Sequence, residues 1–160
     1  MLIISIAMQP DKGIGFKGVM PWHLKDELQL FKANTMGHTI VMGQTTYDNL
    51  PGKLKGRHVV VCSFDPEYEL NDEDTEVIHD LDGYLKEHEN DEEVIFICGG
   101  ASIYRQSYPF CRKAYISFVK GSYEVDTYFD VFDMNDWDIE KEEEHEDFIY
   151  RELIRKEETQ

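Results

Sequence analysis

Short apolar runs alternate with helix-like periodicity along this 160-residue chain. Residues 2–8, 38–42, 58–62 and 94–98 are almost continuously apolar and of strand length, the pattern of strands covered on both faces. Residues 76–79 and 114–119 read as further strands, with a shorter piece near 127–131. Residues 25–34, 44–50, 81–88 and 101–107 read as helices. Segments 137–143 and 148–154 alternate weakly, as an antiparallel pair would. Strands alternating with helices imply an α/β fold. The expectation is a single domain over 1–160: a mainly parallel central sheet of about eight strands, flanked by about four helices, with an antiparallel C-terminal hairpin. Residues 9–24 contain Pro10, Gly13, Gly15, Gly18 and Pro21, which predicts a long irregular loop. Loops of that length in compact domains are usually lids or binding loops. A second, acidic loop is expected over 64–75.

One helix breaks its own pattern. Leu24, Glu27, Leu28, Phe31 and Thr35 fall at i, i+3, i+4, i+7 and i+11, a single helical face. Four of them suit an inward stripe, and Glu27 does not. Against an apolar wall a carboxylate loses hydration, its pKa rises, and it can deliver a proton near neutrality. At the edge of the stripe it would merely reach water. The helix alone leaves both readings open.

Charge narrows the partners. The net charge of −17 disfavours nucleic acid and anionic membranes. It is unevenly spread: residues 1–58 hold seven Lys/Arg against four Asp/Glu, a net of +3, and the remaining 102 carry −20. An anionic small ligand should therefore meet the first third. The chain has no apolar run of membrane-spanning length, and its N-terminus lacks the basic lead-in of a signal peptide. Its three cysteines, Cys62, Cys98 and Cys111, form no CxxC, which suggests reduced thiols in the cytoplasm. Six histidines without HExxH or HxxxH spacing predict no metal site.

Two junctions share the order strand, glycine, helix: Met42-Gly43-Gln44-Thr45-Thr46 and Cys98-Gly99-Gly100-Ala101-Ser102. In each, glycine admits close approach to the backbone, and unpaired amides at a helix start favour phosphate. Neither is GxGxxG or GxxxxGK[ST]. Each alone can be a tight turn; two together suit the pyrophosphate of a dinucleotide. Arg57, between Gly56 and the strand at 58–62, can grip a carboxylate with two parallel bonds or be an exposed turn residue. Phe31, Leu50 and Leu54 can wall a flat aromatic ligand or simply be core, and Tyr104 can lean over a bound ring or pack.

Ile14-Gly15, Met20-Pro21-Trp22, Glu27-Leu28, Phe31-Lys32, Met42-Gly43, Thr46, Leu54, Gly56-Arg57, Gly99-Gly100-Ala101, Ile103-Tyr104 and Asp126-Thr127, in this order and spacing, resemble dihydrofolate reductase of the chromosomal bacterial type. The resemblance runs from residue 1 to about 155. It implies reduction of 7,8-dihydrofolate to tetrahydrofolate by hydride from NADPH. It implies that Glu27 faces the pterin and promotes N5 protonation through water, with Ser117 linked to it. Trp22 would support the loop and a water near Glu27, and Met20 would cap the nicotinamide from the lid. Ser5, Leu28, Phe31, Lys32, Leu50 and Leu54 would border the substrate, and Arg57 would hold the carboxylate of its glutamate tail. Ala7, Ile14, Gly15, Cys98, Gly99 and Gly100 would position the nicotinamide. Gly43, Thr45, Thr46 and Ala101, Ser102, Ile103 and Tyr104 would border the pyrophosphate. Gln44, Cys62, Ser63, Phe64 and His79 would border the adenosine, within an adenosine-binding part spanning roughly 38–106. A cis peptide between Gly99 and Gly100, and a bond from Asp126 to the loop near Gly15, are also implied. The partner would be a small molecule, and the chain a monomer.

The chain departs from the family where basic residues usually face the adenosine 2′-phosphate. Gln44 and Thr45 stand there, Ser63-Phe64-Asp65 follows the third strand with Glu67 close behind, and Ser102 replaces a frequent arginine. His79 is the one candidate cation left, and a histidine is only partly charged at neutral pH. The expectation is NADPH as cofactor with NADH tolerated. Cys98 beside the nicotinamide is either a thiol-reactive position or inert. Two other functions compete: a reductase of a pyrimidine-linked ribose on the same fold, and a non-catalytic nucleotide-binding module. Met20-Pro21-Trp22, Glu27 and Arg57 disfavour the first.

Overall fold

The computed structural model describes residues 1–52 and 54–157. Lys53, one of the seven cations of the basic first third, and residues 158–160 of the expected domain lie outside the described residues. The elements in order are β1 (Leu2–Met8), β2 (Gly13–Gly15), α1 (Lys25–Thr35), β3 (Thr39–Gly43), α2 (Gln44–Asp48), β4 (His58–Cys62), β5 (Thr75–Ile78), α3 (Leu81–His88), β6 (Ile95–Ile97), α4 (Ala101–Ser107), β7 (Lys113–Val119), β8 (Thr127–Tyr128), β9 (Trp137–Glu144) and β10 (Phe148–Arg155).

Eight strands form one sheet in the order β5-β4-β3-β6-β1-β7-β10-β9. Its first six are parallel, and β10 then β9 add to β7 as an antiparallel hairpin. Alternation along each central strand feeds two cores. Leu2, Ile4, Ile6 and Met8 of β1 and Val60 and Cys62 of β4 join one, with Leu81 and Leu85 of α3 and Ile103 and Tyr104 of α4. Ile3, Ile40, Met42, Val59, Val61 and Phe96 form the other. Each such aliphatic side chain contributes roughly 1.5–3 kcal/mol on burial. The central strands β1, β3, β4 and β6 are therefore covered on both faces.

Several local expectations change. The 9–24 loop is not wholly irregular: Gly13–Gly15 pairs antiparallel with Thr127–Tyr128. A Cβ on Gly13 would lie 2.6 Å from Val125 Cγ2, so only glycine admits this approach. The partner strand is over a hundred residues away, beyond any local pattern. The piece at 127–131 is a strand only at Thr127–Tyr128 and joins β2, not the main sheet. Helix α2 stops at Asp48, and β5 runs Thr75–Ile78, leaving His79 just past its end. On α1 the inward stripe holds only in part: Thr35 is buried as expected and Phe31 half-buried, but Glu27 is buried while Leu28 is 38 % exposed.

Candidate functional site

The acid and the glycine junctions gather along the carboxyl ends of the parallel strands, where open α/β sheets bind ligands, whereas Arg57 immediately precedes β4. Glu27 stands in the first turn of α1 and is 9 % exposed. Burial raises its pKa, and the Ser117 hydroxyl, hydrogen-bonded to it, pulls the other way. Ser117 is itself buried on β7, paired in register with Ala7 of β1. Trp22, also buried, packs with Ala7, Val119 and Leu24. Its ring meets Tyr123 edge-on at 5.7 Å. Its Nε1–H is buried without a protein acceptor, and such a donor calls for a water or ligand group. One desolvated acid beside one unmatched donor is the local chemistry here.

The lid leads into this pair. Phe16 and Val19 bond each other's backbones at 2.7 and 3.2 Å across a tight turn, with φ +51° at Lys17 and +84° at Gly18. Asp126 secures the turn: its Oδ2 accepts the Lys17 N–H at 3.0 Å, and its own N–H donates to Gly15 O at 2.9 Å. The Lys17 N–H, and after it the Thr127 hydroxyl donating to Oδ1 at 2.8 Å, hold its carboxyl below the usual range. Val19 and Met20 beyond the turn remain exposed.

A cationic recess of ≈ 400 Å³ opens beside the far end of α1, lined by Lys32, Met36, Lys55, Gly56 and Arg57. Arg57 is 8 % exposed. Its Nε donates to Lys55 O at 3.2 Å, and its Nη1 to Thr35 Oγ1 at 3.3 Å. Thr35 in turn donates to Phe31 O at 2.8 Å. The guanidinium is thereby tied to α1, and burial lowers its pKa. A fixed guanidinium flanked by two lysines suits a carboxylate. Leu50 and Leu54 are half-buried against the second core, Phe31 is half-buried, and Leu28 is open.

The two glycine junctions lie side by side because β3 and β6 are neighbours. Gly43 N–H donates to Gly99 O at 2.8 Å, and the Gly99–Gly100 peptide is cis. Gly43 and Gly100 precede α2 and α4 without a side-chain cap, and neither first turn holds an acid. A Cβ on Gly43 would lie 3.1 Å from Ile103 Cγ1, and one on Gly100 would lie 3.3 Å from Thr46 Oγ1. Side chains there would fill the cradle between the two helix starts. These residues fit a pyrophosphate. Tyr104 packs its ring on Gly99 and donates its hydroxyl to Ser5 O at 2.8 Å. The carbonyl of Ser5, a residue expected to border the substrate, thus accepts this bond. Ile14 is buried and Gly15 lies in the lid's stem, Thr45 and Phe64 are exposed, and Ala101 packs on the core. Ser102 Oγ accepts from Gln106 Nε2 at 2.9 Å. Burial pushes the Cys62 and Cys98 thiols up, and thiols so shifted are poor nucleophiles.

The roles of three contributors are not legible in the sequence: Gln9 and Tyr123 carry no local signal, and Thr35 shows only as part of the inward stripe. Gln9, 2 % exposed, accepts the Tyr123 N–H at 2.8 Å and donates to Tyr123 O at 3.1 Å, so it braces the loop behind Trp22. Tyr123 supplies that brace, and Thr35 is the internal partner of Arg57. Their counterparts lie 22 to 114 residues away. Among the described residues no group of three or more His, Cys, Asp or Glu is placed to hold a metal ion.

Fold and site together define an α/β class with two adjoining glycine-led helix starts at the strand ends and, among the described residues, one buried carboxyl. The dihydrofolate reductase family profile matches residues 1–152. A dihydrofolate reductase of Mycoplasma genitalium is 33 % identical over 151 residues, covering 92 % of this chain and 94 % of its own. That of Bacillus subtilis is 30 % identical over 144 residues, covering 90 % and 84 %. A solved dihydrofolate reductase from Enterococcus faecalis, complexed with NADP(H) and the ligand RAB-propyl, superposes with a TM-score of 0.86 at 27 % identity over 98 % of this chain and 97 % of its own. The chain belongs to the dihydrofolate reductase family.

Proposed function

We propose that this protein reduces 7,8-dihydrofolate to 5,6,7,8-tetrahydrofolate with NADPH, and that Glu27 assists protonation at N5. The buried Glu27 carboxyl, raised in pKa and bonded to Ser117, carries the reading. The nicotinamide supplies the hydride when bound. Hydride arriving at the imine carbon requires a proton at the adjacent nitrogen. Glu27 holds one in reserve because desolvation favours its neutral form. The unmatched Trp22 Nε1–H orients a water between acid and pterin, and the Gln9–Tyr123 brace keeps the indole in place. Arg57, Lys32 and Lys55 receive the tail carboxylate. Leu28, Phe31, Leu50 and Leu54 flank the substrate rings, and Met20 caps the nicotinamide from the lid. The glycine junctions, with Thr46 and Ala101 to Ile103, hold the pyrophosphate, and Ala7 and Ile14 place the nicotinamide.

The whole chain works as one domain, as a monomer in the cytoplasm, with small molecules rather than nucleic acid as partners. The relatives, of similar length, support a single unit. No helix among the described residues is long and apolar enough to cross a membrane.

Glu27→Gln tests the reading. The fold should persist, and turnover should fall by about 10²–10⁴-fold, most at neutral and higher pH. Unchanged turnover at neutral pH would remove Glu27 as the acid. Cofactor binding without dihydrofolate-dependent oxidation in the native protein would favour the non-catalytic module.

A further inference from the structure

The sheet order sets a direction for any dinucleotide lying on it. Glu27 and Ser117 sit over β1 and β7, the glycine cradle over β6 and β3, and β4 and β5 lie beyond. With the reacting ring beside Glu27 and the pyrophosphate in the cradle, the adenosine extends over β4 and β5. Neighbouring strands are about 4.8 Å apart, so its ribose reaches the end of β4. Gly43, Cys62 and Ile78 are in register across β3, β4 and β5. The next residues therefore form one row at the rim: Gln44, Ser63 and His79.

That row is bonded into a unit. Ser63, 1 % exposed, donates its hydroxyl to Gln44 Oε1 at 2.5 Å and receives the Asp65 N–H at 3.1 Å. His79 Nδ1 lies 2.9 Å from Ser63 O. Gln44 Oε1 already accepts that bond, and its NH₂ remains a donor. From residue 58 to residue 85 the chain has no Lys or Arg and nine Asp or Glu. The first turns of α2 and α4 add no cation, and Arg105, late in α4, faces Asp130 at 3.4 Å. A ribose hydroxyl is read by neutral donors and acceptors, whereas a 2′-phosphate calls for fixed cations.

We propose that Gln44 and His79, which reach the surface on either side of the buried Ser63 that fixes the Gln44 amide, form a ribose-reading subsite without a permanent cation, so that this protein binds NADH and NADPH with affinities within about tenfold of each other. A charged hydrogen bond to phosphate ordinarily contributes about ten- to a hundredfold, and the row has no permanent cation to make one. The sign of the salt effect follows. A cation-lined site loses its 2′-phosphate preference as salt is added. Here the surrounding acids repel the extra phosphate, so screening should improve NADPH relative to NADH. The inference rests on the cofactor placement proposed above.

Calorimetric titration of the purified full chain with NADPH and with NADH, at ionic strengths of about 0.05 and 0.5 M, tests it without turnover. The expected result is a Kd ratio within about tenfold at low salt, moving severalfold toward NADPH at high salt. Gln44→Arg, and separately Phe64→Arg at a side chain 69 % exposed, should each raise the NADPH preference about tenfold or more and reverse its salt dependence. A native preference above about tenfold, or one that stays flat or falls with salt, overturns the inference while leaving the cofactor placement standing. If both arginine variants keep native ratios, the row does not face the 2′ position and the inference fails. Binding of neither nucleotide overturns both.

Discussion

Glu27 is a stability liability as well as a candidate acid. Its pKa is raised in the folded state, so the neutral form is favoured there. Its favourable contribution is complete below the unfolded Glu pKa and is lost as pH rises through the folded value. Glu27→Gln should therefore unfold at higher temperature than the native protein at neutral pH, by on the order of 1 kcal/mol, with the difference vanishing in acid. Thermal melts across pH check this; equal melting at neutral pH would mean the carboxylate is well solvated. Arg57→Lys probes the tail recess. Losing the planar fork and the Thr35 bond should raise KM for dihydrofolate by about tenfold or more with a smaller change in kcat. Steady-state kinetics separates the two. Spacing exposed Glu27 as an acid within an apolar stripe. It did not show that Glu27 would be buried while Leu28 stayed open. Periodicity records which residues share a face, and is blind to whether protein or a ligand covers that face.

At the scale of elements, the lid is fastened by few bonds. β2 is three residues long; Asp126 anchors Gly15 and Lys17, and Lys12 accepts the Phe129 N–H and donates to Phe132 O. Asp126→Ala should release the Lys17 amide and speed hydrogen exchange there. It should lower kcat/KM by about tenfold and leave the melting temperature nearly unchanged, because the bonds are exposed. Exchange mass spectrometry and kinetics on one sample test both; unaltered exchange would show the anchor is idle. The Gln9–Tyr123 brace acts from the opposite side of the same loop. Strand and helix order was legible from apolar runs and glycine breaks. β2 was not, because its three residues gain strand character only from β8.

For the molecule as a whole, charge is the dominant surface feature. A net charge of −17, concentrated after residue 58, destabilises the compact state by self-repulsion. Added sodium chloride should raise the melting temperature between about 0.02 and 0.5 M as screening sets in. Scanning calorimetry at fixed pH checks this; a flat response would mean the surface ion pairs already neutralise the field locally. The acids also serve the edge. β9 closes the sheet with Asp138, Glu140, Glu142 and Glu144. Only some are paired, such as Glu142 with Arg151 at 2.6 Å and Glu140 with Lys113 at 3.1 Å. A charged edge strand resists pairing with a second copy.

The amino-acid order by itself determined the alternation of strands and helices, the glycine-led junctions, the placement of one acid on an apolar face, and the family resemblance. Each is a local pattern of a few residues, set by side-chain polarity and backbone freedom. Tertiary structure decided what those patterns meet. It set Gly43 against Gly99, Arg57 against Thr35, Gln9 against Tyr123, and Gln44, Ser63 and His79 in one row. Such contacts depend on strand order and register, which emerge only when the whole sheet assembles.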